Sequence, residues 1–276
     1  MTMSHKAMPY KYHFGPFAPE IYRLPFPSPS HPMAKIEDFE RILVNTVTPD
    51  SVAAIVIEPI QGEGGFNVPQ EGFLEYLRKL TDKYGMLLII DEIQSGIGRT
   101  GKFFAIENWD IEPDIICLAK SLAAGLPLSA VIAKKEMTDS LPGGCIGGTY
   151  VGNPLACRAA LEVIKIVEEE HVLDRALKIG ERLKERFLKM KDKYSIVGDV
   201  HGMGAMIAIE LVKDRETKEP ATQETAQIVQ ECLKNGVFIA TAGINKNILR
   251  MLVSLEITDE QLDEALDVLE RAMGKV

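Results

Sequence analysis

From residue 35 to residue 135 amphipathic stretches alternate with short, almost wholly apolar runs. Ile36 to Asn45 and Gln70 to Tyr84 carry apolar residues at helical spacing, whereas VAAIVIEP, MLLIID and DIICLAK are continuous apolar runs bounded by polar turns. The first pattern predicts amphipathic helices and the second predicts buried strands. With SAVIAKK as a further short strand, the rhythm is βαβ. It predicts an α/β fold with a mostly parallel sheet and helices on both faces.

From Asn153 to Tyr194 the pattern is helical, with PLACRAALEVIKIVEEE and ALKIGERLKERFLKMKDKY separated by a bend at EEEHVLD. After Gly198 it changes again. The spacing predicts a strand over MGAMIAIEL, a helix from about Gln223 to Asn235, short strands near VFIAT and ILRML, and a closing helix. Thr258, with Glu260 and Gln261 behind it, reads as the capped start of that last helix. Residues 35–160 then form one sheet domain, 161–193 connecting helices and 194–276 a small C-terminal α+β domain. Residues 1–34 carry no periodicity but are dense in proline and aromatic residues (PFAPEIYRLPFPSPSHP). Such a linker is suited to packing on protein that this chain does not supply.

A chain of 276 residues with 46% hydrophobic positions can build a sizeable core. Its 31 basic and 40 acidic residues leave a net charge of −9, which argues against nucleic-acid and anionic-membrane surfaces and favours a small-molecule partner. No apolar stretch reaches the ~18 residues of a membrane span, and the N-terminus lacks an apolar signal core. Cys117, Cys145, Cys157 and Cys232 show neither disulfide-framework nor metal spacing, so the expected compartment is the reducing cytoplasm.

Two charged residues close apolar runs: Asp91 ends MLLIID and Lys120 ends DIICLAK, a separation of 29 (120 − 91), about one βαβ crossover. Both fall at the strand ends where open α/β sheets keep their ligand crevice. A buried Asp91–Lys120 ion pair, or a lysine stem reaching out to water, is the bland alternative. Against it stand the small residues after Lys120 (SLAAGLPLSA) and the polar, glycine-rich stretch that Asp91 opens (DEIQSGIGRTG).

Other motifs weigh less. GIGRTG, from Gly96 to Gly101, has dinucleotide-fingerprint spacing, but EIQS separates it from its strand and no strong helix follows. Asp91 and Glu92 cannot both serve one site, because adjacent strand residues face opposite ways. Five scattered histidines offer no metal ligand set, and His201, in HGMG, reads as a surface or capping residue. Arg250 sits among apolar residues in NILRML and needs an anionic partner, either a protein carboxylate or a substrate carboxylate.

EPIQGEGG (58–65), LLIIDEIQSGIGRTGKFFAIE (87–107), PDIICLAKSLAAGLPLSAVIA (113–133), GGTYVGNPLAC (147–157) and NILRM (247–251) together resemble class III, fold-type I pyridoxal-phosphate aminotransferases. Within that group they are most similar to 4-aminobutyrate and ornithine aminotransferases. The resemblance implies that Lys120 carries the cofactor covalently, Asp91 pairs with its pyridine nitrogen, Gln94 bonds its ring hydroxyl and Thr149 reaches the phosphate of a neighbouring subunit's cofactor. It further implies that Arg250 grips a substrate α-carboxylate, that Glu63 pairs with Arg250 when that group is missing, and that Glu58 lies behind these residues.

On this reading 35–160 is part of a cofactor-binding large domain. Amino-acid and 2-oxo-acid substrates such as 2-oxoglutarate, an ω-type donor and a dimer with shared sites are expected. The upstream phosphate loop and ring-stacking aromatic of the family have no counterpart here, so the chain resembles the C-terminal part of such an enzyme, and a separate N-terminal polypeptide is a further expected partner. A racemase, epimerase or aminomutase of the same fold, and a catalytically silent fragment, are the alternative expectations.

Overall fold

The computed structural model describes residues 2–29 and 34–276; the stretch 30–33 of the aromatic linker, with His31, lies outside them. Helix α1 (Ile36–Thr46) precedes strand β1 (Ala54–Ile57), helix α2 (Phe73–Tyr84) and strand β2 (Leu87–Asp91). Strands β3 (Ile115–Leu118) and β4 (Ala130–Ala133) complete a four-stranded sheet in the order β1-β2-β3-β4. β1, β2 and β3 run parallel and β4 antiparallel, so the sheet is mixed but mostly parallel, as expected of an α/β chain.

Leu88 and Ile90 alternate with half-buried residues along β2 and join Phe39, Leu43, Phe73, Leu74, Leu77 and Leu80 of α1 and α2 in one apolar core. Each fully buried side chain of this kind contributes about 1.5–3 kcal/mol. α2 ends where its composition says it should: Gly85 takes the left-handed conformation at φ 67, and its N–H closes on Asp82 O. The expectation of helices on both faces is met on one face only. On the opposite face Val56 and Val131 are 40% and 68% exposed. Asp91 and its register partner Cys117 belong to that open face.

The short helix α3 (Lys135–Asp139) leads through an exposed loop to α4 (Pro154–Glu169) and α5 (Val172–Lys193). His171, left-handed at φ 56, makes the expected bend between them. A second sheet follows, with strands β5 (Val197–Met203), β6 (Met206–Leu211), β7 (Ala240–Ala242) and β8 (Ile248–Met251) in the order β5-β6-β8-β7, every pair antiparallel. α6 (Thr222–Lys234) and α7 (Asp259–Met273) cover one of its faces together with α5. Sequence patterning read one strand over MGAMIAIEL and missed β5, because Gly198, Asp199 and Gly202 interrupt the apolar alternation. The last helix starts as expected: the Thr258 hydroxyl accepts from Gln261 N–H, and the Gln261 side chain accepts from Thr258 N–H. Such a cap contributes about 1 kcal/mol.

Basic residues of α5 face acidic residues of α7 in a ladder. Arg175 and Arg182 meet Asp259, Arg182 meets Asp263, Arg186 meets Asp267 and Glu270, and Lys193 meets Glu270. Partner numbers rise together, so the two helices run in the same direction.

The two sheets meet through glycine. A Cβ at Gly180, within α5, would lie 2.0 Å from Gly204 O, and one at Gly204 would lie 2.6 Å from Thr100 Cα. Gly204 itself has φ +53, and Ala205 N–H bonds Arg99 O at 2.9 Å. GIGRTG is therefore a packing joint. Gly101 lies beneath Leu177, where a Cβ would come within 2.4 Å of that side chain.

In an ordinary helix Gly→Ala gains up to about 1 kcal/mol. Here the clash with backbone dominates, and Gly180→Ala is expected to lose about 2 kcal/mol or more in denaturant unfolding. An unchanged or raised midpoint would show that α5 and the Gly204 turn are not in contact.

Candidate active site

Pleating decides which side chains reach the site. Asp91 is the last residue of β2 and Glu92 follows it, so they point to opposite faces. Glu92 is buried and accepts from Ala105 N–H at 2.8 Å and Ile106 N–H at 2.7 Å, which holds the chain after β2 in a closed loop. Burial pushes its carboxyl up. Asp91 stays half-buried on the open face, where Oδ1 accepts from Ile93 N–H at 3.0 Å.

Lys120 is not the end of a strand. β3 stops at Leu118, and Lys120 opens a 3-10 turn, Lys120–Ala123, with φ +47. A left-handed lysine costs on the order of 1–2 kcal/mol, and such conformations cluster where the surrounding structure needs a side chain aimed. Its amine is exposed and, among the described residues, forms no ion pair, which disposes of the buried Asp91–Lys120 pair.

Glu58 follows β1 and accepts from Gly62 N–H at 2.7 Å. Burial pushes its carboxyl up, the Gly62 N–H opposes this, the Asp91 charge adds to the rise and the Lys120 charge counters it. Glu58 thus feels both the acid and the amine, and the three lie in one neighbourhood.

The loop after Glu58 carries the second half of the site. Arg250, on β8, places Nη1 2.7 Å from Glu63 Oε1, 3.2 Å from Gly62 O and 3.4 Å from Gln94 Oε1. Arg250 is 12% exposed and Glu63 44%. Arg250 Nε is buried without a partner among the described residues. Burial works to raise the Glu63 carboxyl, but the Arg250 hydrogen bond and charge, helped by Tyr10 and Lys120, outweigh it and leave Glu63 below the ordinary carboxylate range. The Gln94 amide lies close over Gly62, where a Cβ would fall 2.3 Å from Oε1 and displace that side chain.

Asp91, Lys120, Glu58, Glu63, Gln94 and Arg250 are therefore brought together. Thr149 is not. It lies in the exposed loop between α3 and α4, with no hydrogen bond or ion pair to the others among the described residues.

Sequence reading missed two neighbours. Tyr10 donates its hydroxyl to Glu63 Oε2 at 3.3 Å, a contact from the unpatterned first residues that no periodicity signals. His201 is not a surface or capping residue: it lies on β5, is 11% exposed, and bonds Gly65 O at 2.8 Å through Nε2 and Asp199 Oδ2 at 3.2 Å through Nδ1. Among the described residues no cluster of three His, Cys, Asp or Glu could hold a metal ion, and no helix is long and apolar enough to cross a membrane.

Comparison with known proteins identifies the family. The family described as Aminotransferase class-III matches residues 1–273. A probable 4-aminobutyrate aminotransferase of Bacillus subtilis is 44% identical over 99% of this chain and 65% of its own length. A leucine/methionine racemase of Thermococcus litoralis is 45% identical over 96% of this chain and 59% of its own length. The structure of an amine transaminase from an uncultivated Pseudomonas species, in its PLP-bound form, superposes with a TM-score of 0.89 at 32% identity, covering 99% of this chain and 66% of that one. The chain spans less than two thirds of the length of these curated relatives. With the family matched along nearly its whole length, the chain belongs to the class III aminotransferases.

Proposed function

We propose that this chain carries the reacting lysine, the ring-pairing acid and the carboxylate-binding arginine of a pyridoxal-phosphate-dependent aminotransferase. It moves an amino group from an ω-amino acid such as 4-aminobutyrate to a 2-oxo acid such as 2-oxoglutarate. The observation that carries this is the Arg250–Glu63 pair at 2.7 Å, next to an exposed Lys120 whose charge Glu63 also feels. The donor set suits the cofactor: a strand-end carboxylate for a protonated ring nitrogen, an unpaired amine for the aldehyde carbon and a half-buried amide for the ring hydroxyl.

When bound, pyridoxal phosphate supplies an electron sink that makes the substrate Cα–H acidic. Asp91 holds the proton on the ring nitrogen. Lys120 Nζ would take the Cα proton as general base and deliver it as general acid to the cofactor's C4′. Gln94 orients the ring through its hydroxyl. Arg250 receives the α-carboxylate of an oxo acid as a planar two-pronged donor. When the bound amine has no such group, Glu63 neutralises Arg250, so one pocket accepts both partners of the exchange. Thr149 belongs to the same proposal through a second subunit: its exposed loop also bears Ile146, Tyr150 and Val151, 80%, 90% and 69% exposed, a surface suited to a homodimer.

A second reading has its own support. The Thermococcus litoralis relative is named a racemase, and racemisation uses the same lysine and acid. Incubation with a single amino acid, with and without an oxo-acid acceptor, separates the two: acceptor-dependent product means aminotransfer, and acceptor-independent loss of optical rotation means racemisation.

Lys120→Ala is expected to abolish the visible absorbance of lysine-attached cofactor after pyridoxal phosphate is added, and an unchanged band would exclude Lys120 as the anchor. Loss of absorbance in the unaltered chain as well would overturn the reading for this polypeptide. Arg250→Ala removes a charge-assisted carboxylate contact and should raise the oxo-acid KM roughly 10- to 100-fold. Equal loss for a substrate without an α-carboxylate would assign Arg250 a purely structural role.

A further inference from the structure

The second sheet presents two side chains to the Glu63 loop, and one of them is outside the machinery just described. His201 pairs with Ala208, Ala208 with Arg250, and Arg250 with Ala240, so these four form a single row across β5, β6, β8 and β7. Directly paired residues of antiparallel strands project on the same side. His201 and Arg250 thus rise from one face, two strands or roughly 10 Å apart, with only the Ala208 methyl between them. The same face packs Met206, Ala208, Ala242 and Ile248 against Ile60 and Phe66 at the two ends of the loop.

The loop is held at successive backbone points by this sheet. Arg250 takes Gly62 O and the Glu63 carboxylate, Gly243 N–H takes Glu63 O at 3.1 Å, and His201 Nε2 meets Gly65 O at 2.8 Å. Gly65 has φ +114, and a Cβ there would lie 2.5 Å from Ile248 Cδ1, so the loop backbone is set closely on β8 at this point.

Both ring nitrogens of His201 face acceptors, Gly65 O and Asp199 Oδ2. A neutral imidazole has one N–H and satisfies one of them; the imidazolium satisfies both. The charges around the ring are Asp199 on its own strand, Lys191 of α5 at 3.7 Å from Asp199 Oδ1, Glu210 opposite Asp199 on β6, and Glu63 with Arg250 through the loop. His201, with a smaller direct charge contribution, keeps the Asp199 carboxyl at about 2, so this anchor remains a carboxylate well into acid.

We infer that His201 is a positioning residue for Glu63: its ring, held by Asp199 at Nδ1 and donating from Nε2, fixes the Gly65 carbonyl and with it the register in which Glu63 meets Arg250. The inference rests on the proposed aminotransfer for its consequence, since releasing the loop weakens the Glu63–Arg250 pairing that an amine without an α-carboxylate requires. It leaves Arg250 free for the oxo acid.

Amide hydrogen exchange on the full chain without added cofactor tests the clamp apart from any activity. Gly65 N–H and Phe66 N–H, bonded to Gly62 O and Gln61 O, should lose protection about 10-fold in His201→Phe. His201→Gln keeps a donor for the Gly65 carbonyl, so protection should persist. Loop protection in His201→Phe equal to that of the unaltered chain would overturn the inference.

With cofactor present, His201→Phe should raise the KM of the ω-amino donor 3- to 10-fold relative to that of the oxo acid, and His201→Gln should restore the ratio. Equal changes in both KM values would reduce His201 to a fold-stabilising residue. Absence of aminotransfer in the unaltered chain would remove the proposed function, while the exchange data would still decide the clamp.

Discussion

A strand can offer consecutive side chains only to opposite faces, and at the end of β2 that constraint separates two carboxylates. Asp91 goes to the open face of the sheet, within the field of Glu58 and Lys120. Glu92 goes inward, where two backbone N–H groups and Ser95 satisfy it. The inward acid shapes the loop that carries Gln94 toward Arg250 and Arg99 toward the second sheet. One pleat therefore sets both the chemistry of the crevice and the path of the chain that closes it.

Much of this was readable from the residues. Continuous apolar runs located β1, β2 and β3, although one face of their sheet is open. Asp91 was found because a charge at the end of such a run has to face something. Lys120 was found for the same reason but placed on the wrong element: its left-handed backbone follows from the turn after β3, and apolar patterning does not encode φ. β5 was invisible because Gly198, Asp199, His201 and Gly202 are chosen for what they approach. Gly198 lies under Val212, Gly202 under the Met206 carbonyl, and His201 reaches another part of the chain altogether.

The Glu63–Arg250 pairing joins positions 187 residues apart (250 − 63). No local pattern specifies it; the residues themselves offered only an arginine among apolar neighbours and an acid in a glycine-rich loop, and their pairing was expected from the family resemblance alone. The α5–α7 ladder is likewise legible as charge but not as contact. Most of its members are half-buried at the surface, so each pair adds little in isolation, while a connected network holds better as temperature rises.

The joint of Gly180 and Gly204 against the Thr100 backbone has a mechanical consequence. With backbone set directly on backbone, no side chain is present to change rotamer and absorb a displacement. A shift of the second sheet is therefore delivered undamped to the segment behind Gln94, and reorientation of the arginine-bearing strand and of the crevice floor becomes a single event.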